Sequence, residues 1–121
     1  MLISNPTAKL GEEIAVKFLK EKGYKIIERN FRKGYGEIDI IAVQNNTLVF
    51  VEVKTRTTSL FGGAANSISY HKLQTLIKTA QFYKLINKNL PDSLRIDAIL
   101  IDLDKKSKVS KIEHVENITG F

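Results

Sequence analysis

The chain has 121 residues, of which 43% are hydrophobic, and it carries a formal net charge of +6. This length predicts one domain, residues 1–121, with a substantial core, and the basic balance favours a polyanionic partner such as nucleic acid. The absence of cysteine excludes disulfides, thiolate zinc sites and cysteine nucleophiles. Since the sequence shows neither an apolar run of the roughly 20 residues that span a bilayer nor a signal peptide, we expect a cytoplasmic protein.

The first predicted element is a helix at residues 8–22, where apolar side chains recur at helical spacing. Thr7 is the expected N-cap and Gly23 the expected stop. With these bounds Glu12 and Glu13 lie in the first helical turn, where the helix dipole favours acids. A dipole contact is therefore one explanation for both glutamates.

Residues 24–31 are predicted to form a strand, which is followed by a basic, glycine-containing turn at 32–36. A β-hairpin comes after it, with strands at about 36–43 and 48–56. Asn45-Asn46 suits a two-residue turn between them, because Asn tolerates positive φ.

This turn sets the cross-strand register of the hairpin. It places Asp39 opposite Glu52 and Glu37 opposite Lys54, with all four on one face of the sheet. Like charges directly opposite each other are destabilising unless a cation lies between them. A divalent metal held by oxygen ligands would explain the pairing; a solvated hairpin face is the alternative.

The second half of the chain predicts a loop, a helix and two strands. After a loop at residues 57–66, Ser67 or Ser69 caps a helix that runs to about Asn89. Residues 94–103 are apolar on both faces, as in a central covered strand. Residues 109–115 read as a short edge strand. The order is αβββαβ plus one strand, which predicts an α/β fold with a mixed sheet flanked by helices.

This order, with an acid in the second strand and Glu52-Val53-Lys54 in the third, resembles the PD-(D/E)XK nuclease superfamily and its restriction-endonuclease-like fold. Asp39 matches the aspartate of that motif, although Ile38 replaces the proline often found before it. A larger set of segments resembles the YraN-like family of small bacterial proteins, which are similar in fold to Holliday junction resolvases. These segments are Gly11-Glu12 with Ala15, Gly23-Tyr24, Arg29-Asn30, residues 36–41, residues 49–56, Phe61-Gly62, Lys72 and Arg95-Ile96-Asp97.

The resemblance implies a metal-dependent nuclease that acts on DNA, with branched or junction DNA as one form of substrate. It implies Mg²⁺, or Mn²⁺ as a substitute, bound by Asp39 and Glu52, with the backbone carbonyl of Val53 as a further ligand. Lys54 would orient or activate the water and stabilise negative charge. Glu12 matches a glutamate of the resolvases that joins the metal ligands, and a homodimer is implied by the same relatives.

The basic residues supply candidate phosphate contacts. Arg29, Arg32, Lys33 and Arg56 are expected to cluster around the strand ends, with Tyr35 between them for base stacking. Lys72 has a family counterpart, which implies a phosphate contact or an accessory catalytic group; an ordinary solvated lysine is the alternative. A solvated basic rim is the alternative for the cluster. His71 and His114 are expected at the surface, and Asp97 is expected to pair with Arg95.

Two other functions remain open from the sequence: a non-catalytic nucleic-acid-binding module, and an accessory protein whose basic surface serves a protein partner. A complete set of acids with a Glu-x-Lys motif favours catalysis, because a pure binder of phosphates has no use for an acidic pocket.

Overall fold

A computed structural model of the chain describes residues 5–34, 36–57 and 68–120. These form α1 (Pro6–Glu21), β1 (Lys25–Lys33), β2 (Gly36–Gln44), β3 (Thr47–Thr57), α2 (Tyr70–Ile86), β4 (Ser93–Leu103) and β5 (Val109–Val115). Of the predicted loop at 57–66, Thr57 is the last residue of β3. Residues 58–66, the alternative cap Ser67 and the stacking residue Tyr35 lie outside the described residues.

The strands form one five-stranded sheet in the order β1-β2-β3-β4-β5. β3 and β4 are parallel, and every other neighbouring pair is antiparallel. The connection through α2 is therefore the predicted crossover between parallel strands. The αβββαβ order and the mixed α/β sheet are confirmed, and they are consistent with a restriction-endonuclease-like core.

Both helices are capped by side chains. α1 begins at Pro6 because Asn5 caps it, accepting hydrogen bonds from the backbone N–H groups of Thr7 at 2.9 Å and Ala8 at 3.4 Å. Ser69 caps α2 by accepting from the N–H of Lys72 at 3.1 Å. α2 ends at Ile86, before the predicted Asn89. Neither helix is long and apolar enough to cross a membrane, within the part of the chain that the structure describes.

The helices cover opposite faces of the sheet. α1 packs Ala15 and Leu19 against a cluster that includes Ile40 and Ile101. α2 packs Leu76, Ala80 and Tyr83 against Ile38, Ile41 and Phe50 on the other face. β4 is buried at nearly every position, as its apolar sequence predicts, and β5 is the exposed edge strand.

The regular alternation of side chains fails at one point in β2. Ile38 and Ile40 are two residues apart and should share a face, yet Ile38 packs with α2 and Ile40 with α1. The register of β1 and β2 pairs Phe31 with Ile38 and Arg29 with Ile40, so the flip occurs where Asn30 meets Asp39. Asn30 has φ 54°, a left-handed conformation that reverses the strand locally. The candidate site is built around this kink.

Candidate active site

The β2–β3 hairpin opens at the residues that the sequence singled out. The pairing runs from Gln44–Thr47, next to the predicted turn, to Ile40–Val51 and ends there. A continued ladder would oppose Ile38 to Val53. Instead the backbone N–H of Val53 donates to Oδ2 of Asp39 at 2.8 Å. A side-chain carboxylate has thus replaced a backbone acceptor, and the two strands separate beside it.

Asp39 and Glu52 meet where the strands separate. Glu52 is only 4% exposed, and its charge acts on the neighbouring Asp39. Burial, and then the charge of Glu52, raise the pKa of Asp39 to about 8, although the N–H of Val53 acts in the opposite direction. Without a bound cation, the pair therefore retains a proton near neutral pH. A divalent cation, which prefers carboxylate oxygens, is suited to replace that proton.

Two lysines from different elements flank the same carboxylate. Nζ of Lys54, on β3, lies 3.7 Å from Oε2 of Glu52, and Nζ of Lys72, on α2, lies 3.5 Å from that atom. Lys72 is therefore brought to the acidic pair by the crossover helix, although 20 residues separate it from Glu52 in the sequence.

Glu37 does not occupy the predicted position opposite Lys54. It pairs with Arg32, whose Nε lies 3.3 Å from Oε1 of Glu37. The prediction was wrong because it assumed unbroken alternation along β2. Ile38 and the Cβ position of Gly36 face α2, so Glu37 lies on the opposite face from Lys54.

A groove of about 980 Å³ opens next to the acidic pair. All the elements from α1 to α2 contribute to it: Glu12 from α1, Arg29 and Arg32 from β1, Asp39 from β2, Val53 from β3, and His71, Lys72 and Thr75 from α2 are among the lining residues. The groove therefore joins the acids to several of the predicted phosphate contacts.

Glu12 lines this groove together with Asp39. Its Oε1 accepts from Nη2 of Arg29 at 3.0 Å and from Nδ2 of Asn30 at 2.9 Å. No group of three or more acids, histidines or cysteines suited to a metal occurs within residues 5–34, 36–57 and 68–120. Glu12 thus contacts the kinked Asn30, and its role as a metal ligand stays a prediction. It does not lie in the first helical turn, which holds no acid.

The predicted basic cluster is divided between two faces. Arg29 and Arg32 line the groove. Nζ of Lys33 lies over the ring of Phe82, 5.1 Å from its centroid, and Nε of Arg56 lies 3.0 Å from Oδ1 of Asp102. The expectation of one cluster was wrong, because β1 itself directs Arg29 toward Glu12 on α1 and Lys33 toward Phe82 on α2.

The two histidines differ in environment. His71 is exposed, as expected, but it lines the groove; its position beside Lys72 at the start of the second helix was the available signal. The expectation for His114 was wrong. Its side chain is buried, with Nε2 at 2.8 Å from Oδ2 of Asp97, and the predicted pair of Arg95 with Asp97 is confirmed at 2.9 Å.

Comparison with known proteins identifies a family of similar sequences. Residues 11–101 match the model of the uncharacterised protein family UPF0102. A UPF0102 protein of Alkaliphilus oremlandii is 46% identical over 110 residues, covering 89% of this chain and 92% of the relative. A UPF0102 protein of Thermodesulfovibrio yellowstonii is also 46% identical, covering 90% and 91%. One from Caldanaerobacter subterraneus is 42% identical, covering 89% of each chain.

Proposed function

The chain belongs to the uncharacterised protein family UPF0102, and we propose that it is a divalent-metal-dependent nuclease that hydrolyses phosphodiester bonds in DNA. The observation that carries the proposal is the arrangement at the opened end of the hairpin: Asp39 accepts from the N–H of Val53, next to the buried Glu52, and Lys54 and Lys72 lie beside Glu52. Two neighbouring acids removed from water are costly unless they hold a cation. The likeness to the PD-(D/E)XK motif supports the same conclusion.

The residues at the pair fit Mg²⁺, with Mn²⁺ as its substitute. Asp39 and Glu52 offer carboxylate oxygens, and the carbonyl of Val53, whose N–H orients Asp39, offers a further oxygen. A bound cation of this kind orients a phosphate and lowers the pKa of a coordinated water. Glu12 would be a further ligand through its second oxygen, since the hydrogen bonds from Arg29 and Asn30 are all accepted by Oε1.

The lysines supply positive charge where the reaction develops negative charge. Hydrolysis joins a water oxygen to phosphorus, breaks the bond to the leaving oxygen and transfers a proton to that oxygen. The ammonium groups of Lys54 and Lys72 approach Glu52 from two elements. They are therefore placed to stabilise the extra charge on the phosphate in the transition state.

The groove provides the path for the nucleic acid. The Arg32 side chain, 60% exposed, can turn from Glu37 to a phosphate at small cost, because an exposed ion pair contributes little. Arg29 is held more firmly by Glu12 and Glu13, so we assign it mainly to keeping the rim in shape.

The test is single-turnover cleavage of linear duplex, single-stranded and four-way-junction DNA in Mg²⁺ or Mn²⁺. We expect cleavage by the wild type and a loss of at least a hundredfold in Asp39→Asn, which keeps the shape of the side chain but removes its charge. Asp92→Asn is the matched control, since Asp92 is exposed and, among the described residues, forms an ion pair with Lys84 alone, outside the groove. If the wild type cleaves no DNA or RNA form, a non-catalytic nucleic-acid-binding role replaces this proposal.

A further inference from the structure

The hairpin that joins β4 to β5 carries a concentration of exposed positive charge. Lys105, Lys106, Lys108 and Lys111 are all exposed. None of the four forms an ion pair with any residue that the structure describes. We call these four residues the lysine hairpin.

The one acid in this turn does not neutralise the lysines. Oδ1 of Asp104 accepts from the backbone N–H groups of Lys106 at 2.8 Å and Lys108 at 2.9 Å. The N–H of Asp104 donates to the carbonyl of Lys108 at 2.7 Å, which closes the turn. Asp104 therefore orders the backbone and leaves the ammonium groups facing water.

Cations near the acidic pair behave differently. Lys54 and Lys72 are paired with Glu52, and Arg56 with Asp102. A polyanion that approaches the groove must compete with these acids for the cations. The lysine hairpin offers positive charge without that competition, so it is the better site for initial binding.

The lysine hairpin projects from the same end of the sheet as the candidate active site. β3 and β4 are parallel, with Glu52 beside Ala98 and Thr57 beside Leu103. The hairpin begins directly after Leu103. At about 3.3 Å per residue, its base lies ~16 Å beyond the level of Glu52 along the strands. Polyanion bound in the groove and extending past the ends of β3 and β4 therefore reaches the lysines.

We propose that the lysine hairpin is a second nucleic-acid contact, which binds the phosphate backbone of a DNA duplex whose cleaved strand lies in the groove. This inference rests on the proposed function for the identity of the groove. A separation of ~16 Å corresponds to about five phosphates along one strand. A stiff duplex keeps two contacts at a fixed separation, whereas a flexible single strand must be ordered to reach both at an entropic cost. The site thus favours duplex regions over single strands.

The experiment compares Lys105→Gln/Lys106→Gln/Lys108→Gln with a matched control, Lys17→Gln/Lys20→Gln/Lys88→Gln. The control changes the net charge equally and removes three exposed lysines away from the hairpin. Fluorescence anisotropy with EDTA present measures binding to a duplex and to a single strand of equal length at several salt concentrations. We expect the hairpin variant to bind the duplex at least tenfold more weakly. Its slope of log K against log salt should fall by about two to three units. The control should stay near the wild type.

The outcomes separate this inference from the proposed nuclease activity. Loss of duplex binding in the hairpin variant alone supports the inference even if the wild type cleaves nothing, in which case only the nuclease proposal fails. Equal losses in both triple variants would show that the loss of affinity comes from the change in net charge, and would overturn the inference. Unchanged duplex binding, or a loss confined to single strands, would also overturn it.

Discussion

Glu52 has three ionisable neighbours although it is almost completely removed from water. Asp39 interacts with it electrostatically, and Nζ of Lys54 and Nζ of Lys72 lie 3.7 Å and 3.5 Å from its Oε2. Without a cation, the lysines compensate the buried charge of Glu52. With a cation bound between the acids, we infer that this compensation becomes unnecessary and the ammonium groups are free to act on a phosphate.

This division of roles predicts that Lys54→Ala abolishes metal-dependent cleavage while DNA binding survives. Lys54 extends from the same strand face as Glu52, two residues away, so its Nζ can act at the metal site. Losing a group that stabilises the transition state costs a few kcal/mol of barrier, or roughly a hundredfold or more in rate. Single-turnover cleavage and anisotropy together measure the two effects.

Lys78→Ala is the control for Lys54→Ala, because Lys78 is exposed on α2 and forms no ion pair with the described residues. The fold of the Lys54 variant should persist, since Lys72 still compensates Glu52. If the Lys54 variant cleaves as fast as the wild type, Lys54 is only a charge partner of Glu52 and the mechanism is wrong.

At the scale of elements, the sequence correctly predicted the hairpin as far as the candidate site. Asn45 adopts φ 54°, and the register that follows from this turn holds as far as Ile40–Val51. Beyond that point the alternation of side chains no longer predicts which face of the sheet a residue occupies, because the strand flips where Asn30 meets Asp39. At this kink the side chain of Asn30, which has positive φ, donates to Glu12, a residue distant in sequence. A prediction from alternation alone does not include such a contact.

The error in the predicted start of α1, by contrast, has a local cause. Both Asn5 and Thr7 are acceptable caps, and Pro6 at the first helical position selects Asn5. With either start Glu12 lies beyond the first four helical residues, so the dipole explanation for it was wrong. The crossover helix and the covered strand β4 were predictable because their patterns are long and unambiguous.

Close packing of β2 on α2 gives a prediction at this scale. A Cβ added at Gly36 would lie 1.8 Å from Oγ1 of Thr79 and 3.1 Å from its Cβ. Since Thr79 is buried, Gly36→Ala should lower the free energy of unfolding by about 1–3 kcal/mol. Urea denaturation measures the loss.

The double variant Gly36→Ala/Thr79→Ala is the control, because it removes the hydroxyl that the new methyl group would strike. The two substitutions should couple favourably, so that the double variant loses less than the sum of the single losses. Additive losses would show that Gly36 is not needed for this approach of strand and helix.

At the scale of the whole molecule, a buried network joins the C-terminal part of the sheet. Asp97 is fully buried; it accepts from Arg95 and His114 side chains and, at 2.9 Å, from the N–H of Asn117. Nη2 of Arg95 also donates to the hydroxyl of Tyr24 at 2.8 Å. Although burial opposes it, the hydrogen bonds from His114, Arg95 and Asn117 hold the pKa of Asp97 below its ordinary value of 3.8. The sequence predicted only the Arg95 contact, because the others cross between elements.

Asp97 and Asp39 give the molecule opposite responses to pH. Since the pKa of Asp97 is lowered on folding, its contribution to stability is present above about pH 3.8 and is lost as the pH falls through its folded pKa. Since the pKa of Asp39 is raised from 3.8 to about 8, the folded state without metal keeps a proton that the unfolded state releases. Stability then falls as the pH rises between these two values.

We therefore predict that, in EDTA, the free energy of unfolding is largest at about pH 4–5 and decreases toward pH 8 by an amount on the order of a few kcal/mol. Denaturant titrations from pH 3 to pH 9 measure this profile.

Asp39→Asn should flatten the decline toward pH 8 and leave the acid limb intact, because Asp97 is unchanged. Mn²⁺ should restore stability to the wild type most strongly at pH 8, where it no longer competes with a proton, and should not do so in Asp39→Asn. A flat wild-type profile between pH 5 and pH 8 would mean that Asp39 and Glu52 do not retain a proton, and it would remove the electrostatic basis for a cation between them.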